Sequence, residues 1–115
     1  MKTRSLLHSF RCAFTGLWDV IRSGRNAKIH FVIAACVIAA GFWLNLARID
    51  WTVLILTIGV VCAAEAANTA IEHLVDLVSP EHHELARRAK DAAAASVLIM
   101  AIAASVIGLL LFRFV

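Results

Sequence analysis

The sequence predicts an all-α membrane protein: an N-terminal amphipathic surface helix followed by three transmembrane helices. Three observations lead there. Of 115 residues, 62% are hydrophobic and only one is proline, whereas a soluble domain runs nearer about 45–50% apolar. Most of the apolar residues fall in three long runs, each able to cross a hydrocarbon core about 30 Å thick. The stretch before them is too mixed to span, yet its apolar residues recur at helical spacing. The length suits one domain, residues 1–115.

The surface helix is expected over residues 5–23. Leu6, Phe10, Phe14, Leu17 and Ile21 follow a helical line, and Arg11, Asp19 and Arg22 lie off it. Trp18 suits the headgroup belt, and Ser23-Gly24 breaks the helix. Because His8 and Arg11 interrupt its apolar segment, no cleavable signal peptide is expected.

The first span is expected over 29–46, just long enough to cross. His30, at its entrance, reads as an interface residue. Asn45 to Asp50 forms a short turn flanked by Trp43 and Trp51. The second span is expected over 51–77 and ends before Ser79-Pro80, because proline disfavours helix at the residue preceding it. A polar connector or a helical turn is expected over 81–88, and the third span over 89–114.

Orientation follows from the cations. Lys2, Arg4, Arg11, Arg22, Arg25, Lys28, Arg87, Arg88 and Lys90 collect on one side, Arg48 and Arg113 on the other. The positive-inside rule then puts the N-terminus in the cytoplasm. The net charge of +3 is modest, and the basic residues border apolar runs. That reads as contact with headgroups, not nucleic acid. Cys12, Cys36 and Cys62 have no paired spacing and read as packing residues.

The end of the second span carries the candidate chemistry. At about 100° per residue, Glu65, Asn68, Glu72 and Asp76 fall within about 80° on one face. With a span starting near Trp51 and a rise of about 1.5 Å per residue, Glu65 lies about 21 Å along, Glu72 about 31 Å and Asp76 about 37 Å. The stripe thus starts at lipid depth and ends in water. A charge at mid-bilayer costs about 2.5–3.5 kcal/mol on insertion scales and usually marks function. Asp76, taken alone, is equally a solvated helix-end acid, and Lys90-Asp91 a snorkelling lysine and a helix-start acid.

An antiparallel hairpin brings Lys90-Asp91 to the face where Glu72 and Asp76 emerge. Phosphoryl transfer needs positioning, magnesium on the phosphate oxygens, a cation and a group to take the hydroxyl proton. Glu65, the deepest acid, suits the base. Glu72 suits magnesium, which favours one or two carboxylates with phosphates and waters. Lys90 suits phosphate. Alanines flank the stripe on both helices and allow close approach in lipid. Three spans barely enclose a polar stripe, so self-association is expected.

The run Glu65-x-x-Asn68-Thr-Ala-Ile-Glu72-x-x-Val-Asp76, followed by Ser79-Pro80-Glu81-x-His83-x-Leu85-Ala86-Arg87-x-Ala89-Lys90-Asp91, resembles the small prokaryotic integral-membrane lipid kinases, the diacylglycerol and undecaprenol kinases. The resemblance implies that Glu65 is catalytic and that Glu72 ligates the metal. It implies that Lys90 and Asp91 contact nucleotide, that Glu81, His82 and His83 meet ATP, and that Asn68 and Asp76 line the site. It also implies a homotrimer in the bacterial inner membrane, with Mg2+, ATP and a lipid alcohol. Ser9-Phe10-x-x-Ala13-Phe14-x-Gly16 and Arg25-Asn26-Ala27-Lys28-Ile29-His30 are similar to the undecaprenol kinase branch, which favours undecaprenol over diacylglycerol. One position departs: Gly24 stands where these kinases usually carry a second metal-binding glutamate. Asp19 lies five residues earlier, on another helical face, and is no obvious substitute.

Two other classes bear on this reading. A proton-coupled transporter also places a glutamate within a span, but needs neither a stripe reaching the cytoplasm nor Lys90-Asp91 beside it. A lapsed kinase or membrane scaffold is the reading that Gly24 favours, and ATP binding without turnover would mark it.

Overall fold

The chain forms four helices in a computed structural model that describes residues 5–113: α1 (Leu6–Ser23), α2 (Arg25–Trp43), α3 (Arg48–Val78) and α4 (Glu84–Phe112). Local chemistry sets their ends. Ser5 caps α1, its Oγ accepting from the His8 N–H at 3.2 Å. Gly24 separates α1 from α2 in extended backbone (φ −99°, ψ 122°), and its N–H returns to the Val20 carbonyl. His83 caps α4 through Nδ1, which accepts from the Leu85 N–H at 3.0 Å.

The α2–α3 turn is a Schellman closure. Asn45 takes the left-handed conformation at φ 54°. Its N–H bonds the Phe42 carbonyl, and the Leu46 N–H bonds the Gly41 carbonyl. Gly41 is required for close approach: a Cβ there would sit 2.8 Å from Trp51 Cη2 and 3.1 Å from Leu46 Cδ1. The Phe42 and Trp51 rings pack alongside, centroids 4.8 Å apart. Gly41→Val is expected to cost about 1–3 kcal/mol through this overpacking. Melting in mild detergent checks it, and adding Trp51→Leu should recover part of the loss.

Three helices are long and apolar enough to cross a membrane: α2, α3 and α4. They extend beyond the expected spans, because a helical backbone runs on past the lipid. α2 begins at Arg25, α3 at Arg48 and α4 at Glu84. Most of the expected 81–88 connector is therefore the first turn of α4, and α2 stops at Trp43, short of Leu46. Lys2, Arg4 and the expected third-span end at Phe114 lie outside the described residues.

α3 and α4 share the largest interface, with α2 against α3 and α1 across the junction with α2. Leu54, Val61, Glu65 and Thr69 are buried on α3, and Ala93 and Val97 on α4. The small side chains let these backbones approach closely. Outward faces are apolar: Phe10, Phe14 and Trp18 on α1, Phe42 and Trp43 at the end of α2, and Leu109 and Leu110 on α4 are exposed. For a chain with three such helices, that exposure is a surface made for lipid or for other membrane helices.

Candidate active site

The acids of α3 share a face but not an environment. Glu65 is 3% exposed, on the side of α3 turned towards α2. Its Oε1 lies 2.5 Å from His30 Nδ1, an ion pair by distance whose angle is not that of a directed hydrogen bond. One turn on, Asn68 donates through Nδ2 to Glu72 Oε1 at 3.1 Å. Its carbonyl oxygen is buried and has no partner. Glu72 is exposed. Asp76 accepts from Lys90 Nζ at 2.5 Å across the α3–α4 hairpin.

Glu65 therefore sits in protein and the later acids in the open. Among the described residues, Glu65 makes no hydrogen bond or ion pair to Glu72 or Lys90. The two ends of the stripe are tied to different helices.

A polar cleft of about 310 Å3 opens at the α3–α4 turn. It gathers Asp76, Glu81, His82, His83, Arg87 and Lys90. His83 Nδ1 is committed to its cap, so only the other face of that ring is turned to a ligand. Asp91 is held by Arg87 at 2.7 Å, and Arg87 also pairs with Glu84. Thus Lys90 and Asp91, adjacent in sequence, have different partners. At the same end, Asp19 of α1 meets His73 of α3 at 2.9 Å and ties the surface helix beside the stripe.

Below Glu65 an apolar groove of about 240 Å3 runs between α2, α3 and α4. His30 lines its upper end, with Ala34, Cys62, Ala104 and Gly108 among its walls. Glu65 itself is not part of the lining and is reached through its contact with His30.

Among the described residues no three His, Cys, Asp or Glu side chains cluster to hold a metal ion. Magnesium asks for less, since phosphates and waters complete its shell. The exposed Glu72 carboxylate is a hard oxygen donor of the right kind, whereas the Asn68 carbonyl is buried and its Nδ2 is what faces Glu72. Gly24 adds no ligand, and its surroundings are close: a Cβ would lie 3.1 Å from Ala27 Cβ and 3.2 Å from the Val20 carbonyl.

Sequence reasoning assigned His30 to the interface and missed its partner. A signal was present. Counting outward from the Phe42–Trp51 contact puts His30 about twelve residues back and Glu65 about fourteen forward, at nearly equal height on two antiparallel helices.

Comparison with known proteins identifies the family. A family model for prokaryotic diacylglycerol kinase matches residues 11–112. The chain is 44% identical over 104 residues to an undecaprenol kinase of Bacillus subtilis, covering 90% of this chain and 85% of that one. It is 45% identical over 105 residues to a diacylglycerol kinase of Synechocystis, covering 90% of this chain and 60% of that one. It is 32% identical over 94 residues to a diacylglycerol kinase of Haemophilus influenzae, covering 82% of this chain and 80% of that one. With three membrane-length helices and a match over nearly its whole length, the chain belongs to the prokaryotic diacylglycerol kinase family and is a multi-pass membrane lipid kinase.

Proposed function

We propose that the chain transfers the γ-phosphoryl group of ATP to the primary hydroxyl of a membrane lipid alcohol, undecaprenol in preference to diacylglycerol. The observation that carries this is the placement of Glu65. It is a buried carboxylate against His30, which lines one end of an apolar groove, on the helix whose next turns expose Glu72 and Asp76. The groove suits the tail of the alcohol and the polar cleft suits the nucleotide.

In the reaction the lipid oxygen bonds to the γ-phosphorus, the bond to the β–γ bridging oxygen breaks, and ADP leaves. Glu65 takes the hydroxyl proton. Lys90 and the loop residues Glu81, His82 and His83 meet the nucleotide, with Asp91 beside them. Asn68 and Asp76 line the path between the two ends. Glu72 would hold Mg2+, which when bound offsets charge on the phosphate oxygens.

The stripe is exposed along its upper half and the outward faces are apolar, which supports a homotrimer that covers both. The Lys and Arg asymmetry supports a cytoplasmic N-terminus in the bacterial inner membrane. The preference for undecaprenol rests on the motifs around Phe10 and Arg25–His30. Relatives named for either lipid are equally similar, at 44% and 45% identity. Diacylglycerol, giving phosphatidic acid, is the second acceptor.

The test is purified protein with labelled ATP and a panel of lipid alcohols, with the product identified. Label on undecaprenol is the expected result, and label on no lipid alcohol would overturn the proposal. Gly24 bears on the metal. Its extended backbone suits a side chain, and both Ala27 and the Val20 carbonyl must yield slightly to admit one. Gly24→Glu is expected to shift the magnesium requirement about tenfold lower by adding a carboxylate ligand. Identical magnesium titrations for the two proteins would dismiss a metal role for this position.

A further inference from the structure

We propose that His30 is a positioning residue for phosphoryl transfer, holding the Glu65 carboxylate at the angle from which it takes the hydroxyl proton. The proposal rests on Glu65 being the base. Four observations on the page converge on it. His30 Nδ1 lies 2.5 Å from Glu65 Oε1. The pair joins α2 to α3, so it fixes Glu65 from outside its own helix. Glu65 has hardly any solvent contact and His30 little, at 4% and 19% of their side-chain surfaces. His30 also lines the apolar groove, which places it beside whatever rises towards Glu65.

The physical need is plain. A buried carboxylate without a partner is costly and searches for one. Glu65 has three side-chain torsions, and the amide one turn on along its own helix, Asn68 Nδ2, is committed to Glu72. The walls beside it are small or apolar, with Val61, Ala93 and Val97 buried on the two helices. His30 is the ring that selects one orientation of the carboxylate. A proton acceptor that is misplaced by about 1 Å loses roughly a hundredfold in rate. The contact angle is off-line in the absence of ligand, and such geometry commonly tightens once substrate is bound.

A counter-group that merely steadied the fold would make the same contact. The two roles separate in kinetics. His30→Leu removes the donor and keeps an apolar side chain of moderate size. His30→Asn keeps an amide N–H near the position of Nδ1. For positioning, His30→Leu lowers kcat about tenfold or more with the lipid KM little changed, and His30→Asn restores most of the rate. Both proteins are compared by melting in mild detergent, so that a folding defect is seen directly. In the Glu65→Gln background, His30→Leu should lower the residual rate no further, because the residue acts through Glu65.

Wild-type kcat in a folded His30→Leu protein would overturn the proposal. So would His30→Asn as slow as His30→Leu while both are folded, or a further drop in the Glu65→Gln background. Failure of the parent reading looks different. Wild-type turnover in Glu65→Gln removes the base and the proposal with it, whereas an inactive Glu65→Gln beside fully active His30 variants sinks only the role of His30.

Discussion

Glu65→Gln is expected to lower kcat by about 10²–10⁴-fold, the contribution of a positioned general base. The amide matches the carboxylate in shape, so α3 should keep its packing against α2 and α4. The loss belongs in kcat, since the proton moves in the transition state and not on binding. Transfer of labelled phosphate to undecaprenol in detergent, with a melting curve beside it, measures both. Unchanged turnover would remove Glu65 as the proton acceptor and leave its burial without a chemical reason.

The second large effect is expected at Glu72. Glu72→Gln keeps an oxygen to accept from Asn68 Nδ2 but loses the charge. Magnesium binds through carboxylate, phosphate and water oxygens, so the change should weaken the metal and not the helix. A loss of roughly 10²-fold at low magnesium is the scale for removing one electrostatic clamp on a transferring phosphoryl group. The magnesium titration should also move to higher concentration, and saturating metal should recover part of the rate. A titration that superimposes on that of the unaltered protein would dismiss Glu72 as a ligand.

Much of this architecture can be read from residues close in sequence. Ser23-Gly24 and Ser79-Pro80 mark two of the three helix junctions, because they act on the backbone locally. The shared face of Glu65, Asn68, Glu72 and Asp76 follows from helical period alone. The ends of the helices did not follow from hydropathy, since an apolar window reports the depth of lipid and not where backbone hydrogen bonding stops. α4 thus begins at Glu84, inside what reads as a polar connector.

Partners across helices were harder to see. The hairpin alone brings Lys90 of α4 to Asp76, but nothing in the helical period turns Glu65 to His30 on α2. The tie between Asp19 and His73 joins residues 54 apart, and neither belongs to the motif that draws attention. His83 was read for nucleotide, yet half of its imidazole serves the start of α4. In each case the missing information is register between helices, which a single sequence carries only through features such as Gly41 against Trp51.

α3 is one unbroken helix of 31 residues, Arg48–Val78. At about 1.5 Å per residue it measures about 46 Å, well beyond a hydrocarbon core of about 30 Å. Glu65 and Glu72 are thus graduations on a rigid ruler, and neither can move along the bilayer normal without the other. Acyl length in the surrounding membrane then becomes a tuning variable. A thicker or thinner leaflet slides the plane of hydroxyl groups along this ruler, or tilts it, and changes how squarely acceptor and carboxylate meet.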